Sequence, residues 1–242
     1  MTDTKHPLSF LFGLVVAFSV LLAMSPKAEA TEALVYVIDV KNVVKTDQVG
    51  KFLGTLIGPT RAYHPSLPDG FYLGATRGIA VDSKGNVWVA SNAAHVLTKV
   101  APDGTLLRTW RNDVCLGGPG GSRRFSCPDG QFVTPFEVAV DSKDNVYVSD
   151  AWSGRITKLD PNGNFILKWK NMGSRGLAVD TKDNVYVGSV GVRAASGGKG
   201  RERHVVRKYD STGKYIRSWG TIATHASRIS KDGEFHRVTN LA

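Results

Sequence analysis

Two arginines and one glutamate stand at matched places in a pattern that the chain repeats. Arg77 precedes Gly-Ile-Ala-Val-Asp, Arg175 precedes Gly-Leu-Ala-Val-Asp, and Phe136-Glu137 precede Val-Ala-Val-Asp between them. Guanidinium groups are planar forks of N–H donors that fit carboxylates and phosphates. Two of them at equivalent positions could converge on such an anion, with Glu137 orienting them or reading a ligand hydroxyl. The alternative is that Glu137 pairs with one arginine and the three only close a wall. Trp152, in the loop Asp150-Ala-Trp-Ser-Gly154, is either a solvent-facing stacking platform with Asp150 beside it or a packing residue. Asp82, Asp141 and Asp180 also recur, but each opens a turn that needs a side-chain acceptor. Trp110, Trp169 and Trp219 recur as outer-strand packing residues.

The elements that position these residues are short strands. Phe136 to Trp169 reads as four of them, Val138–Val140, Val146–Ser149, Ile156–Leu159 and Asn164–Trp169, separated by turn-forming Asp, Asn, Gly and Pro. Asp144 and Asn145 tolerate a left-handed backbone, and Gly163 supplies a positive φ after Pro161. Val146, Tyr147 and Val148 put apolar groups on both faces of one strand, so this sheet should be stacked between two others. Residues 79–91 and 177–189 match residues 138–150 at eight and nine of thirteen positions, and residues 98–110, 157–169 and 207–219 repeat the second half. A repeated four-strand unit covered on both faces is the signature of a β-propeller blade.

The Gly-Ile-Ala-Val-Asp strand, the Gly-Asn-Val-Trp/Tyr-Val strand, Arg155-Ile156, the Asp-x-x-Gly turn and the closing tryptophan resemble the NHL repeat family of propellers. Asp129-Gly130-Gln131-Phe132 before Pro135 looks like that family's linker between blades. The resemblance implies an all-β propeller of NHL-type four-stranded blades, usually six to a ring, and is nearly silent on activity. Blades are expected at 76–110, 135–169 and 174–219, with a partial N-terminal blade at 34–58 that lacks its first strand. Residues 232–242 begin a further repeat, aligning with 129–139. Either Asn240 to Ala242 completes the partial blade and closes a four-bladed ring, or the chain is a truncated piece of a longer propeller; truncation is the reading favoured here.

Residues 1–30 read as a signal peptide: Lys5 and His6, an apolar run from Leu8 to Met24, and a small-residue site at Ala28-Glu29-Ala30. Cleavage after Ala30 would place the propeller, 31–242, in a secreted or periplasmic setting; an uncleaved segment would be a membrane anchor. The charges of the signal cancel, so the net charge of +10 belongs to the mature part and favours anionic partners. An insertion at 111–130 is Gly-rich, carries Arg123 and Arg124, and contains the only cysteines, Cys115 and Cys127, expected to form a disulfide. A second insertion, 189–204, leads a basic stretch whose Arg193, Lys199, Arg201, Arg203 and Arg207 form either a solvated hairpin tip or a patch for an anionic partner. Nucleic acid fits poorly, because no aromatic residues interleave these charges.

Two enzyme classes on this fold give a contrast. The resemblance to NHL-type amidating lyases implies zinc-binding histidines at the Arg77 position, and this chain has none there. His64, His95, His204, His225 and His236 fall in loops or unrelated parts of the repeats. Propeller lactonases use a central calcium cluster, for which only Glu137 and Asn240 stand at comparable places. No cofactor is therefore expected. The reading is a secreted or periplasmic binding or scaffolding module for a protein, an anionic small molecule or a polysaccharide. The alternative is a propeller hydrolase or lyase dependent on zinc or calcium, with part of its site outside this chain.

Overall fold

The computed structural model describes residues 35–39, 42–47, 51–57, 76–110, 116–117, 125–192 and 203–220. They form antiparallel meanders joined in chain order. The first sheet has three strands, β1 (Val35–Asp39), β2 (Asn42–Thr46) and β3 (Phe52–Ile57). The second has four, β4 (Thr76–Val81), β5 (Val87–Ser91), β6 (Val96–Val100) and β7 (Leu106–Trp110). A two-stranded ribbon, β8 (Leu116–Gly117) with β9 (Phe125–Ser126), lies in the first insertion. The third sheet is β10 (Pro135–Val140), β11 (Val146–Asp150), β12 (Arg155–Leu159) and β13 (Phe165–Lys170). The fourth is β14 (Ser174–Val179), β15 (Val185–Val192), β16 (Arg203–Tyr209) and β17 (Tyr215–Trp219). The expected signal segment 1–30, the expected repeat start at 232–242 and Cys115 lie outside the described residues.

Alternation along each second strand explains how the sheets stack. Val146 and Val148 face β4–β7, in a core with Trp88, Leu97 and Phe132. Tyr147, one residue out of phase, faces β14–β17 in a core with Leu177, Val185 and Tyr209. Tyr36 and Val43 pack likewise against Ile79 and Val87. Strands β4, β10 and β14 are the inner ones, with β10 packed against both of the others. In the sheets between two neighbours the second and third strands are buried on both faces or nearly so, as their sequences require, while the outer strands β7 and β13 keep exposed positions.

Each repeated aspartate is consumed by its own turn. Asp141 Oδ1 accepts the Asn145 amide at 2.8 Å and the Lys143 amide at 3.0 Å, while Oδ2 accepts the Tyr147 hydroxyl at 3.1 Å and lies 3.4 Å from Lys158 Nζ. Asp82 is bound in the same way by Asn86, Trp88 and Lys99, and Asp180 by Asn184, Tyr186 and Lys208. Burial pushes the Asp141 carboxyl up, but the hydrogen bonds from Asn145 and Lys143 and the charge of Lys158 outweigh it and hold the group below the usual carboxylate range.

Neighbouring sheets are also fastened polar group to polar group. Ser83 donates its amide and hydroxyl to Asp144 at 2.7 and 2.6 Å, and Ser142 does the same to Asp183 at 2.9 Å each. Asp144 and Asp183 adopt left-handed backbones, φ 62° and 59°. Outer tryptophans reach across as well, Trp110 Nε1 donating to Gly163 O at 2.9 Å. Gly163 has φ +80°, and a Cβ there would land inside the Trp110 indole. Gly163→Ala should therefore add backbone strain and a steric clash at one seam, lowering unfolding stability by roughly 2–4 kcal/mol. Urea denaturation measures it.

Candidate ligand-binding site

The strands that carry Arg77, Phe136 and Arg175 share an irregularity. Register in the first strand of each four-stranded sheet shifts between Thr76 and Gly78, between Pro135 and Glu137, and between Ser174 and Gly176. The skipped residue in each case is Arg77, Phe136 or Arg175. Such a bulge leaves one residue out of the ladder and re-aims its side chain. Gly78 lets the strands close up, since a Cβ there would sit 2.6 Å from the Glu137 Cα.

The three re-aimed side chains meet. Arg77 reaches Phe136 from the preceding sheet and Arg175 from the following one, with guanidinium carbons 5.3 and 5.5 Å from the ring centroid. Cation–π stacking uses the face of a guanidinium and leaves its N–H fork pointing outward. Arg77 is exposed and Arg175 half-buried. Neither makes a hydrogen bond or ion pair among the described residues. Phe136 was visible in the sequence only as the non-arginine at the arginine position; its ring is what the two arginines share.

Glu137 is not ion-paired with either arginine among the described residues. Its side chain is buried, and its amide donates to Ser149 Oγ at 3.0 Å. Burial pushes the carboxyl well above its ordinary range, and the positive charge of Arg77 pulls it only part of the way back.

The other candidates separate. Trp152 is 61% exposed, on the loop joining β11 to β12, as a stacking platform requires. Asp150 is buried and accepts the Val133 and Thr134 amides at 2.8 Å each, so it anchors the linker before β10. Arg155 holds the same linker by donating to the Cys127, Pro128 and Gln131 carbonyls. Cys127 is buried, and no free cysteine occurs among the described residues. Arg207 turns inward, donating to Ser189 Oγ at 2.9 Å and Asn171 Oδ1 at 3.1 Å, and so does not belong to a solvent-facing patch. Arg203 begins β16. Arg193, Lys199 and Arg201 lie outside the described residues, as do Arg123, Arg124, His64, His225, His236 and Asn240. His95, left-handed at φ 57°, bonds the Val133 carbonyl through Nδ1. Among the described residues no group of three or more His, Cys, Asp or Glu side chains could hold a metal ion.

No family model matches the chain. It is 32% identical over 94 residues to the peptidyl-glycine alpha-amidating monooxygenase of Mus musculus, a match covering 38% of this chain and 9% of that protein. The chain thus spans about a tenth of the length of that curated relative. Among solved structures it resembles the hydrazine synthase of Kuenenia stuttgartiensis, with TM-score 0.54 and 10% identity, covering 88% of this chain and 52% of that one. It also resembles a catalytically inactive virginiamycin B lyase from Staphylococcus aureus with quinupristin, with TM-score 0.51 and 12% identity, covering 81% and 55%. These likenesses and the repeated four-stranded sheets define the chain as a β-propeller protein.

Because folding raises the Glu137 pKa, its neutral form favours the native state. That stability is fully present below the ordinary glutamate range and is lost as pH rises through the raised value. Glu137→Gln, which keeps the shape and removes the proton, should be nearly neutral at pH 4 and increasingly stabilising toward pH 8. Melting temperatures of both proteins across that range test it.

Proposed function

We propose that this chain is an NHL-type propeller that works as a binding module, taking an anionic ligand at the bulged ends of its inner strands. The observation that carries this reading is the pair of guanidinium groups stacked at one phenyl ring, with their N–H donors unspent among the described residues. Stacking prepays the ordering of two long side chains, which is a main cost of binding with arginine. A carboxylate or phosphate seated there would accept from both forks, with the Glu137 side chain orienting them or reading a ligand hydroxyl. Trp152 offers a flat apolar surface for the rest of a sugar or peptide. Export through residues 1–30 and pairing of Cys115 with Cys127 belong to the same reading, because a secreted or periplasmic setting favours disulfides.

Isothermal titration with inorganic phosphate, citrate and polygalacturonate tests it. At least one should bind, more weakly as salt rises, and Arg77→Ala or Arg175→Ala should each weaken it by about ten- to a hundredfold, the loss of one charge-assisted contact. Unchanged affinity in both variants removes the site.

The match to an amidating monooxygenase supports a second reading, a metal-dependent propeller lyase or hydrolase. The described residues offer no ligand set for it, so no step is derived. Metal analysis of the purified protein separates the two: a stoichiometric zinc or calcium ion favours the enzyme, and protein without either leaves the binding module.

A further inference from the structure

Beside the arginines, the same end of the inner strands exposes two large apolar side chains that the repeat does not require. Trp152 follows β11, whose last residue, Asp150, pairs with Pro135 at the start of β10. Met172 lies between β13 and β14, three residues before Arg175. The two are 61% and 62% exposed. Gly154 joins them: it closes the Trp152 turn with φ +63°, a Cβ there would collide with the Met172 thioether, and its carbonyl accepts the Asn171 amide at 2.9 Å. One sheet earlier the matching positions hold Ala93, a small residue, and Val133, which is 2% exposed. Packing thus accounts for these positions in one sheet and leaves an exposed indole and thioether in the next.

The polar groups around this patch are already spent inward. Asp150 accepts the Val133 and Thr134 amides, and the Ser153 hydroxyl donates to the Asp150 carbonyl at 3.4 Å. Asn171 donates both amide hydrogens, to Ser174 Oγ at 2.7 Å and Ser189 Oγ at 2.9 Å. Its Oδ1 accepts from Tyr209 at 2.8 Å and Arg207 at 3.1 Å. A sugar laid on this patch would find those groups taken, and a hydroxyl removed from water without a partner costs free energy. An apolar group in the same place only gains by the area it removes from water.

Distance sets the shape of the ligand. Phe136, with Arg77 and Arg175 at its ring, belongs to β10, and the Trp152 turn joins β11 to β12, the next two strands of the same sheet. At about 4.8 Å per strand the turn is offset from β10 by roughly 7 Å along the sheet, too far for one phosphate or carboxylate to touch both. We infer that the ligand of this end is an amphipathic anion: a phosphate or carboxylate at the two guanidinium groups, carrying an aryl or alkyl arm that lies on Trp152 and Met172. The inference rests on the anion reading given under the proposed function and narrows it, from a sugar or peptide to an apolar arm.

Isothermal titration with inorganic phosphate, phenyl phosphate and 4-phenylbutyl phosphate tests it, since the head stays constant and only the arm grows. Affinity should rise along the series, by about ten- to a hundredfold from first to last, the worth of one buried aromatic ring. That ratio should collapse toward one in Trp152→Ala and fall in Met172→Gln, with far-ultraviolet circular dichroism checking that both variants keep their sheet signal. Arg77→Ala should weaken every ligand that binds. Equal affinities for the three would overturn the inference and leave the arginine site standing. A preference for the long arm that survives both Trp152→Ala and Met172→Gln would overturn it too, because the arm would then lie elsewhere. If none of the three binds, the inference fails, and the titrations with citrate and polygalacturonate decide whether the reading beneath it fails as well.

Discussion

An aspartate at the end of each inner strand fixes the rest of the geometry. Asp82, Asp141 and Asp180 each gather a turn amide, an asparagine, an aromatic N–H or O–H and a lysine from the third strand. One carboxylate thereby locks the first turn, sets the second strand's aromatic side chain and pulls the third strand into register. The lysine is then held over the same aromatic ring, 4.7 Å from Trp88, 4.9 Å from Tyr147 and 4.9 Å from Tyr186. That aromatic is what packs on the next sheet. Removing the carboxylate would strand a buried lysine and unsatisfied turn amides together, a heavier loss than any single apolar contact.

The turns and the bulges sit at opposite ends of the inner strands, and this divides the labour. Aspartates stabilise one end, where nothing is left to react. At the other end the ladder skips one residue per sheet and frees Arg77, Phe136 and Arg175 for each other. The long connections after β3, after β7 and within the last sheet all leave from this same end. Among the described residues, the side chains re-aimed toward one another lie where the repeat departs from its own regularity.

Most of the fold was legible in the repeat itself. Three aligned copies gave the strands, and consecutive apolar residues such as Val146, Tyr147 and Val148 gave the stacking. The aspartates were correctly read as turn residues, because a group that recurs with every turn has a structural reason to do so. The site was only half legible. Alternation of residue types cannot show an extra residue, so β10 starts at Pro135 rather than Val138, and the bulge at Phe136 was invisible. Counting charges placed Arg207 in a basic patch, yet direction is not a property of charge, and its guanidinium points inward. For Glu137 the sequence left open orienting the arginines, reading a ligand hydroxyl or pairing with one of them, because residue type alone does not show that its side chain is buried.

Gly85 carries a last consequence. It holds the left-handed turn position, φ 77°, that Asp144 and Asp183 hold in the later sheets. Having no carboxylate, it cannot accept from a serine on the sheet before it, as Asp144 and Asp183 do. The three seams are therefore unlike in kind. Two combine apolar contact with serine-to-carboxylate hydrogen bonds, whereas the seam of Tyr36 and Val43 against Ile79 and Val87 lacks that stitch at Gly85 and leans on apolar contact. Apolar contact weakens on cooling and ignores protons. The first sheet is thus the one that cold would loosen most.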